Sequence, residues 1–242
     1  MIKLFRKVRQ RLLTQNKFGK YLAYALGEII LVMIGILLAL QVNNWNEQRT
    51  LQGKITSIYA IVKSDLELDI VMIDEVIATM SPEESVLKRI MDGDMTLEDY
   101  QNCDKCEFVV GGFPDITLKS RGLTLLEDNS TLFDIENDSL FIRVNEFYSY
   151  FITEIAVDME EIEIDYSDNF AYWKTNKTWF PDNLFGIKNS EFVNYALNSP
   201  DYLNRVATWR RLYFVNYLGH LKDYKESASL LIEDLNKRNE TE

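Results

Sequence analysis

The chain has 242 residues, enough for one sizeable domain beside an anchor, and 47% hydrophobic with 12% aromatic content is ample for a packed core. Its formal net charge of −12 is uneven, because seven cations precede residue 21, and Glu28 is the only charge up to residue 42, leaving −18 on residues 43–242. So acidic a region is repelled by phosphate backbones, which excludes nucleic-acid binding. Two cysteines and one histidine exclude a structural zinc site, which needs four such ligands.

Residues 1–20 form a basic leader with Lys3, Arg6, Lys7, Arg9, Arg11, Lys17 and Lys20 and no acid. Ile2, Phe5, Val8 and Leu12 recur at helical spacing among the cations, which suits a helix lying on an anionic leaflet. A basic tail that only sets topology fits the same residues. From Tyr21 to Val42 the chain is apolar except for Glu28. At 1.5 Å per residue this stretch spans about 33 Å, the thickness of a hydrocarbon core. The charge difference across it places the N-terminus in the cytoplasm and residues 43–242 outside. A cleavable secretory signal is the rival, but Ala39-Leu40-Gln41 lacks the second small residue of a cleavage site.

Glu28 is the residue to weigh within the span, since an ionisable group in lipid is costly and marks a functional site by default. At 100° per residue it shares a face with Tyr21, Tyr24, Ala25, Gly35, Ala39 and Asn46. Gly35 and Ala39 form a small-xxx-small pair that lets a second helix approach, so this stripe predicts a packing face for a protein partner or a second copy. The competing reading has Glu28 protonated or snorkelling to the headgroups.

Beyond the span, Leu51, Ile55, Ile58, Val62, Leu66, Ile70, Ile73, Ile77 and Met80 continue the helical period, and Ser81-Pro82 is expected to stop it and cap a new helix. Asp92-Gly93-Asp94 should end that second helix, with another start at Thr96-Leu97-Glu98-Asp99. Residues 107–114 read as a short strand or an extended loop, and Ile116 to Leu126 as a helix weakened by Gly122. Two long helices follow. One runs from Ser139 through Leu140, Val144, Phe147, Phe151, Ile155, Met159, Ile162, Tyr166 and Phe170. The other opens at Ser199-Pro200 and carries Leu203, Val206, Trp209, Tyr213, Tyr217, Leu221, Tyr224, Ala228, Leu231 and Leu235. The predicted fold is all-α: an N-terminal transmembrane helix continuing into an antiparallel helical bundle, with the last helix beside the first.

No cofactor or catalytic set emerges. Cys103 and Cys106 form a C-x-x-C that fits a local disulfide, free thiols or a redox site, and Asp104 and Glu107 disfavour the thiolate that redox chemistry requires. His220 is the only histidine and no G-x-S-x-G elbow accompanies it. The acids between Asp158 and Asp165 alternate with apolar positions and read mostly as a solvated face. Residues 128–134 lack the glycine and glutamate of a calcium loop. Residues 169–192 gather Phe170, Tyr172, Trp173, Trp179, Phe180 and Phe185 into a Pro- and Gly-containing connection. Tyr172, Trp173, Trp179 and Phe180 then either present a ligand or partner surface or cap the bundle, and exposure of the two tryptophans separates these readings.

Residues 3–47, KLFRKVRQRLLTQNKFGKYLAYALGEIILVMIGILLALQVNNWNE, resemble the opening of a family of uncharacterised single-pass membrane proteins of flavobacteria and their relatives. The likeness is dense over residues 1–49, including Glu28, Gly35 and the Asn44-Trp45-Asn46 collar. It is weaker near residues 57–70, 116–132 and 145–151. It implies an inner-membrane protein with its bulk in the periplasm and brings no known activity. Two function classes remain: a non-catalytic envelope scaffold, subunit or sensor, or an anchored enzyme or small-ligand module. A pair of carboxylates buried together would favour the second.

Overall fold

A computed structural model describes residues 18–103, 106, 109–134 and 137–241. The expectations for residues 1–17 lie outside these, as do the side chains of Tyr21 and Tyr24 on the Glu28 stripe. The described residues contain helices and no strand, so the chain is all-α. It divides into two units, residues 1–55 and 56–242, and helix α1 (Phe18–Asp92) contributes to both.

In the first unit α1 is bare. An 18-residue window within it has a mean hydropathy of 2.4 and no buried residue, and thirteen large apolar side chains between Leu22 and Val42 are exposed. At about 1.5–3 kcal/mol each, keeping them in water would cost roughly 20–40 kcal/mol, more than the whole stability of a typical domain. The helix is long and apolar enough to span a membrane. A polar collar follows, in which the Asn43 side-chain amide donates to Glu47 at 2.7 Å and the Thr50 hydroxyl to the Asn46 carbonyl at 2.9 Å.

In the second unit the same helix acquires a core face: Ile55 stands at the boundary, and Ile58, Tyr59, Val62, Leu66, Ile73 and Met80 are buried beyond it. Ser81-Pro82 does not stop it, contrary to expectation, for α1 runs on to Asp92 with Pro82 inside. A proline there forfeits one backbone bond and costs about 3 kcal/mol. Burial of Met80 on one side and Leu87 on the other offsets that, and the Ser81 hydroxyl, rather than capping a new start, donates back to the Ile77 carbonyl at 3.0 Å. The helix ends about three turns after Pro82 on Gly93, whose φ of 74° favours glycine, with Asp94 N–H donating to the Arg89 carbonyl at 2.9 Å. Helix α2 (Leu97–Asn102) opens on a Thr96/Asp99 capping box, and Arg89 pairs with Asp99 at 2.8 Å.

Residues 113–120 form an irregular strap, and α3 covers only Arg121–Asp128. The expected helix from Ile116 begins late because side chains elsewhere claim the strap's backbone. Ile116 N–H donates to the Tyr217 hydroxyl at 3.1 Å, and the Tyr213 hydroxyl donates to the Pro114 carbonyl at 2.9 Å. Helix α4 (Ser139–Asn176) is capped by Asp138, which accepts from Leu140 and Phe141 N–H and pairs with Arg238 at 2.8 Å. It takes in residues 171–176, expected as connection. Short helices α5 (Phe180–Leu184) and α6 (Ser190–Asn198) lead to α7 (Pro200–Trp209), a π-helical stretch (Arg210–Tyr217) and α8 (Leu218–Thr241).

Pairings fix the directions within this unit. Arg143 meets Asp234, Asp158 meets His220 and Asn169 meets Arg205, so α4 runs antiparallel to α7–α8. Tyr59 lies under Arg238 and Glu84 meets Arg210, so α1 is antiparallel to the last helix as well. The core is aromatic, with Tyr224 against Phe147 and Phe151, and Trp209 stacked on Tyr213 at 5.6 Å.

Candidate functional site

Three places in the second unit concentrate polar or ligand-accepting groups. The first is a carboxylate pair that the sequence reading did not single out, Asp65 and Asp69, one turn apart on the buried face of α1. Asp65 accepts the Gly122 N–H at 2.7 Å, while Asp69 accepts the Lys119 N–H at 3.0 Å and the Tyr224 hydroxyl at 2.6 Å. Together they hold the amino end of α3, whose first N–H groups have no partner in their own helix. Gly122 is required there: a Cβ would stand 2.7 Å from the Val62 Cα. Burial raises Asp69 above the usual carboxylate range, against its hydrogen bonds, and the neighbouring Asp65 charge adds to the rise. Burial also drives the Tyr224 and Tyr148 hydroxyls far above the usual phenol range, so both stay protonated. The pair is buried together, but its oxygens serve as helix caps.

The second place pairs Asp158 with His220 Nδ1 at 2.6 Å. Asp158 was expected on a solvated face with its acidic neighbours; instead it is 5% exposed and occupies the apolar stripe between Ile155 and Ile162, while Glu160, Glu161 and Glu163 are solvated. Three helical steps from Phe151 bring residue 162 to the core through 155 and 158 rather than 159, so the carboxylate fills the Met159 position and needs His220 as partner.

The third is the aromatic end. Trp173 is 8% and Trp179 3% exposed, and Phe180 is also buried, so Tyr172, Trp173, Trp179 and Phe180 do not present an open partner surface. Burial of this much ring area explains the outcome: Trp179 packs on Phe192 and Tyr195, and the Trp173 indole N–H donates to the Tyr195 hydroxyl at 3.2 Å. Arg205 ties the region together, donating from Nε and Nη2 to Asp201 and from Nη1 to Asn169 while stacking over Tyr172 at 4.1 Å. Burial opposes ionisation of Asp201, yet its bonds to Arg205 and Tyr195 hold it below the usual range.

Beside this cap lies a cavity of about 250 Å³. Tyr166, Phe170 and Trp173 of α4 form one wall, with Phe180, Asn183 and Leu184 of α5 beside them. Val110, Gly111 and Gly112 close it from the segment that follows the Cys103–Cys106 disulfide. Gly111 has a φ of 127°, and a Cβ there would lie 2.9 Å from the Tyr166 ring, so only glycine lets this segment lie against the wall.

In the apolar segment, Glu28 is half-buried and Gly35 and Ala39 are exposed, with open space where a Gly35 side chain would stand. Among the described residues no cluster of three or more His, Cys, Asp or Glu is placed to hold a metal. The fold and these sites define a class: a helical bundle sharing a helix with an apolar segment of membrane-spanning length. The model of a family of unknown function (DUF6090) matches residues 28–112, about a third of the chain, from Glu28 in the apolar segment to Gly112 at the cavity. No curated protein and no solved structure matches the chain.

Proposed function

We propose that this protein is a non-catalytic envelope component, a scaffold, subunit or sensor, anchored by one transmembrane helix in the inner membrane. Its N-terminus is cytoplasmic and residues 43–242 are periplasmic. The exposed apolar helix carries this reading, since only a non-aqueous surrounding removes the cost of its side chains. The seven leader cations support the orientation. Gly35 and Ala39 leave a backbone-deep stripe on the helix, which supports a packing face with Glu28 for a protein partner or a second copy. The enzyme reading draws little from the buried carboxylates, because chain N–H groups and Tyr224 already occupy them.

Protease treatment of spheroplasts from a Gram-negative host tests the topology. Digestion of the bundle, only once the outer membrane is opened, with an N-terminal epitope retained on a short protected fragment, is expected. A protected bundle overturns the orientation. Crosslinking in native membranes, wild type beside Glu28→Leu, then tests the stripe: a defined adduct in wild type that the variant loses is expected, and identical patterns remove Glu28 from the assembly role.

A further inference from the structure

The cavity beside the aromatic cap has the size, walls and charge of a site for one kind of molecule. An apolar space of about 150 Å³ is enough to take up benzene, and this one, at about 250 Å³, has room for a second fused ring. Its walls include four aromatic rings, Tyr166, Phe170, Trp173 and Phe180, and Phe170 and Phe180 already meet edge to face at 5.0 Å. A flat ring entering beside this pair continues the edge-to-face arrangement. Among the described residues no Lys, Arg, Asp or Glu lines the space, so a charged ligand would lose its hydration without a counter-charge from them. The wall residues also bring the Tyr166 hydroxyl and the backbone of Gly111 and Gly112, enough to orient one N–H or O–H. Leu184 and Tyr166 are also partly solvent-exposed, which gives the cavity a mouth. We infer that this cavity binds a small, uncharged, fused-ring aromatic compound of the indole class, edge-on to Phe170 and Phe180. This inference goes beyond anchoring and partner assembly and does not depend on either.

The test uses the full chain in lipid nanodiscs, with 5-fluoroindole as the probe followed by ¹⁹F NMR and empty nanodiscs as the lipid control. Saturable binding above the lipid control, displaced by unlabelled indole, is expected. Leu184→Trp should plug the mouth and Val110→Phe should fill the space from the opposite wall. Each should weaken binding at least tenfold while keeping the wild-type helical circular dichroism, and whichever variant keeps that spectrum decides. The charged relative 5-fluoroindole-2-carboxylate should bind at least tenfold more weakly than 5-fluoroindole. The site is refuted if the signal equals that of empty nanodiscs, if it does not saturate, if the folded filling variant binds as wild type does, or if the carboxylate binds equally well.

Discussion

Helix α1 carries apolar residues through both units, yet they meet opposite fates. Between Ile29 and Thr50 every residue is exposed, whereas from Ile58 to Met80 the apolar residues alternate between buried and open in helical steps. What differs is arrangement rather than hydrophobicity. Apolar side chains all around a helix cannot be buried on one neighbour and call for an apolar solvent, while a one-sided stripe calls for a partner helix. The first unit is therefore stable only where something outside the chain surrounds it, and the second supplies its own core.

Substitutions that act on one unit alone separate these two sources of stability. The largest effect is expected for Leu31→Arg with Leu38→Arg. At roughly 2.5–3.5 kcal/mol per arginine, the pair should shift insertion by about 5–7 kcal/mol. The protein should then move from the membrane pellet to the soluble fraction after alkaline extraction, while the bundle's thermal midpoint stays put. Full retention in the pellet would show that the apolar helix is not what holds the chain. Trp209→Ala should do the reverse. Its ring is fully buried and stacked on Tyr213, so truncation should cost about 3–5 kcal/mol in denaturant unfolding with pellet retention unchanged. A loss under 1 kcal/mol would mean that the carboxyl end of α7 is not part of the core.

Much of this was legible in the sequence because it depends on periodicity. The span, the core stripes of α1 and α4 and the starts at Thr96, Ser139 and Pro200 follow from spacing and caps alone. The misses have physical causes. Pro82 breaks a helix only where packing does not hold both flanks, and the burial of Met80 and Leu87 is a property of the tertiary structure. Asp65 and Asp69 sit one turn apart beside Leu66, and only their distant partners Lys119, Gly122 and Tyr224 make them interior residues. The π-helical stretch did leave a trace. Trp209, Tyr213, Tyr217 and Leu221 are all buried at successive steps of four, which would drift by about 120° around an α-helix. A wider turn keeps them facing inward. Of the cavity, Phe170, Trp173 and Phe180 stand out in the sequence as part of the aromatic run, but the opposite wall does not, because Val110 and the neighbouring glycines meet α4 and α5 only across the fold.

Within the bundle, two smaller effects sharpen the contrast. Replacing both Cys103 and Cys106 by serine removes a bond that closes a very short loop, so the chain-entropy model gives about 2 kcal/mol, readable as a lower denaturation midpoint with pellet retention unchanged. An unchanged midpoint would mean that the loop folds without its staple.

The smallest effect is a pH slope from Asp69. Burial raises its carboxyl above the unfolded value, so the folded chain holds this proton more tightly than the unfolded chain does. Its contribution to stability is therefore fully present below pH 3.8 and is lost as pH rises through the folded value. Asp99, Asp201 and Asp234, held below the usual range, work in the opposite direction and lose their contribution as pH falls. Comparing wild type with Asp69→Asn cancels those three, because they are the same in both proteins. The asparagine keeps a carbonyl to accept the Lys119 N–H but has no proton to release. The difference in unfolding free energy should therefore move in favour of the variant as pH rises above 3.8, by at most about 1.4 kcal/mol per pH unit. Parallel curves between pH 3.5 and 7 would mean that water or a shifted strap solvates Asp69. The amino end of α3 would then be held chiefly by Asp65.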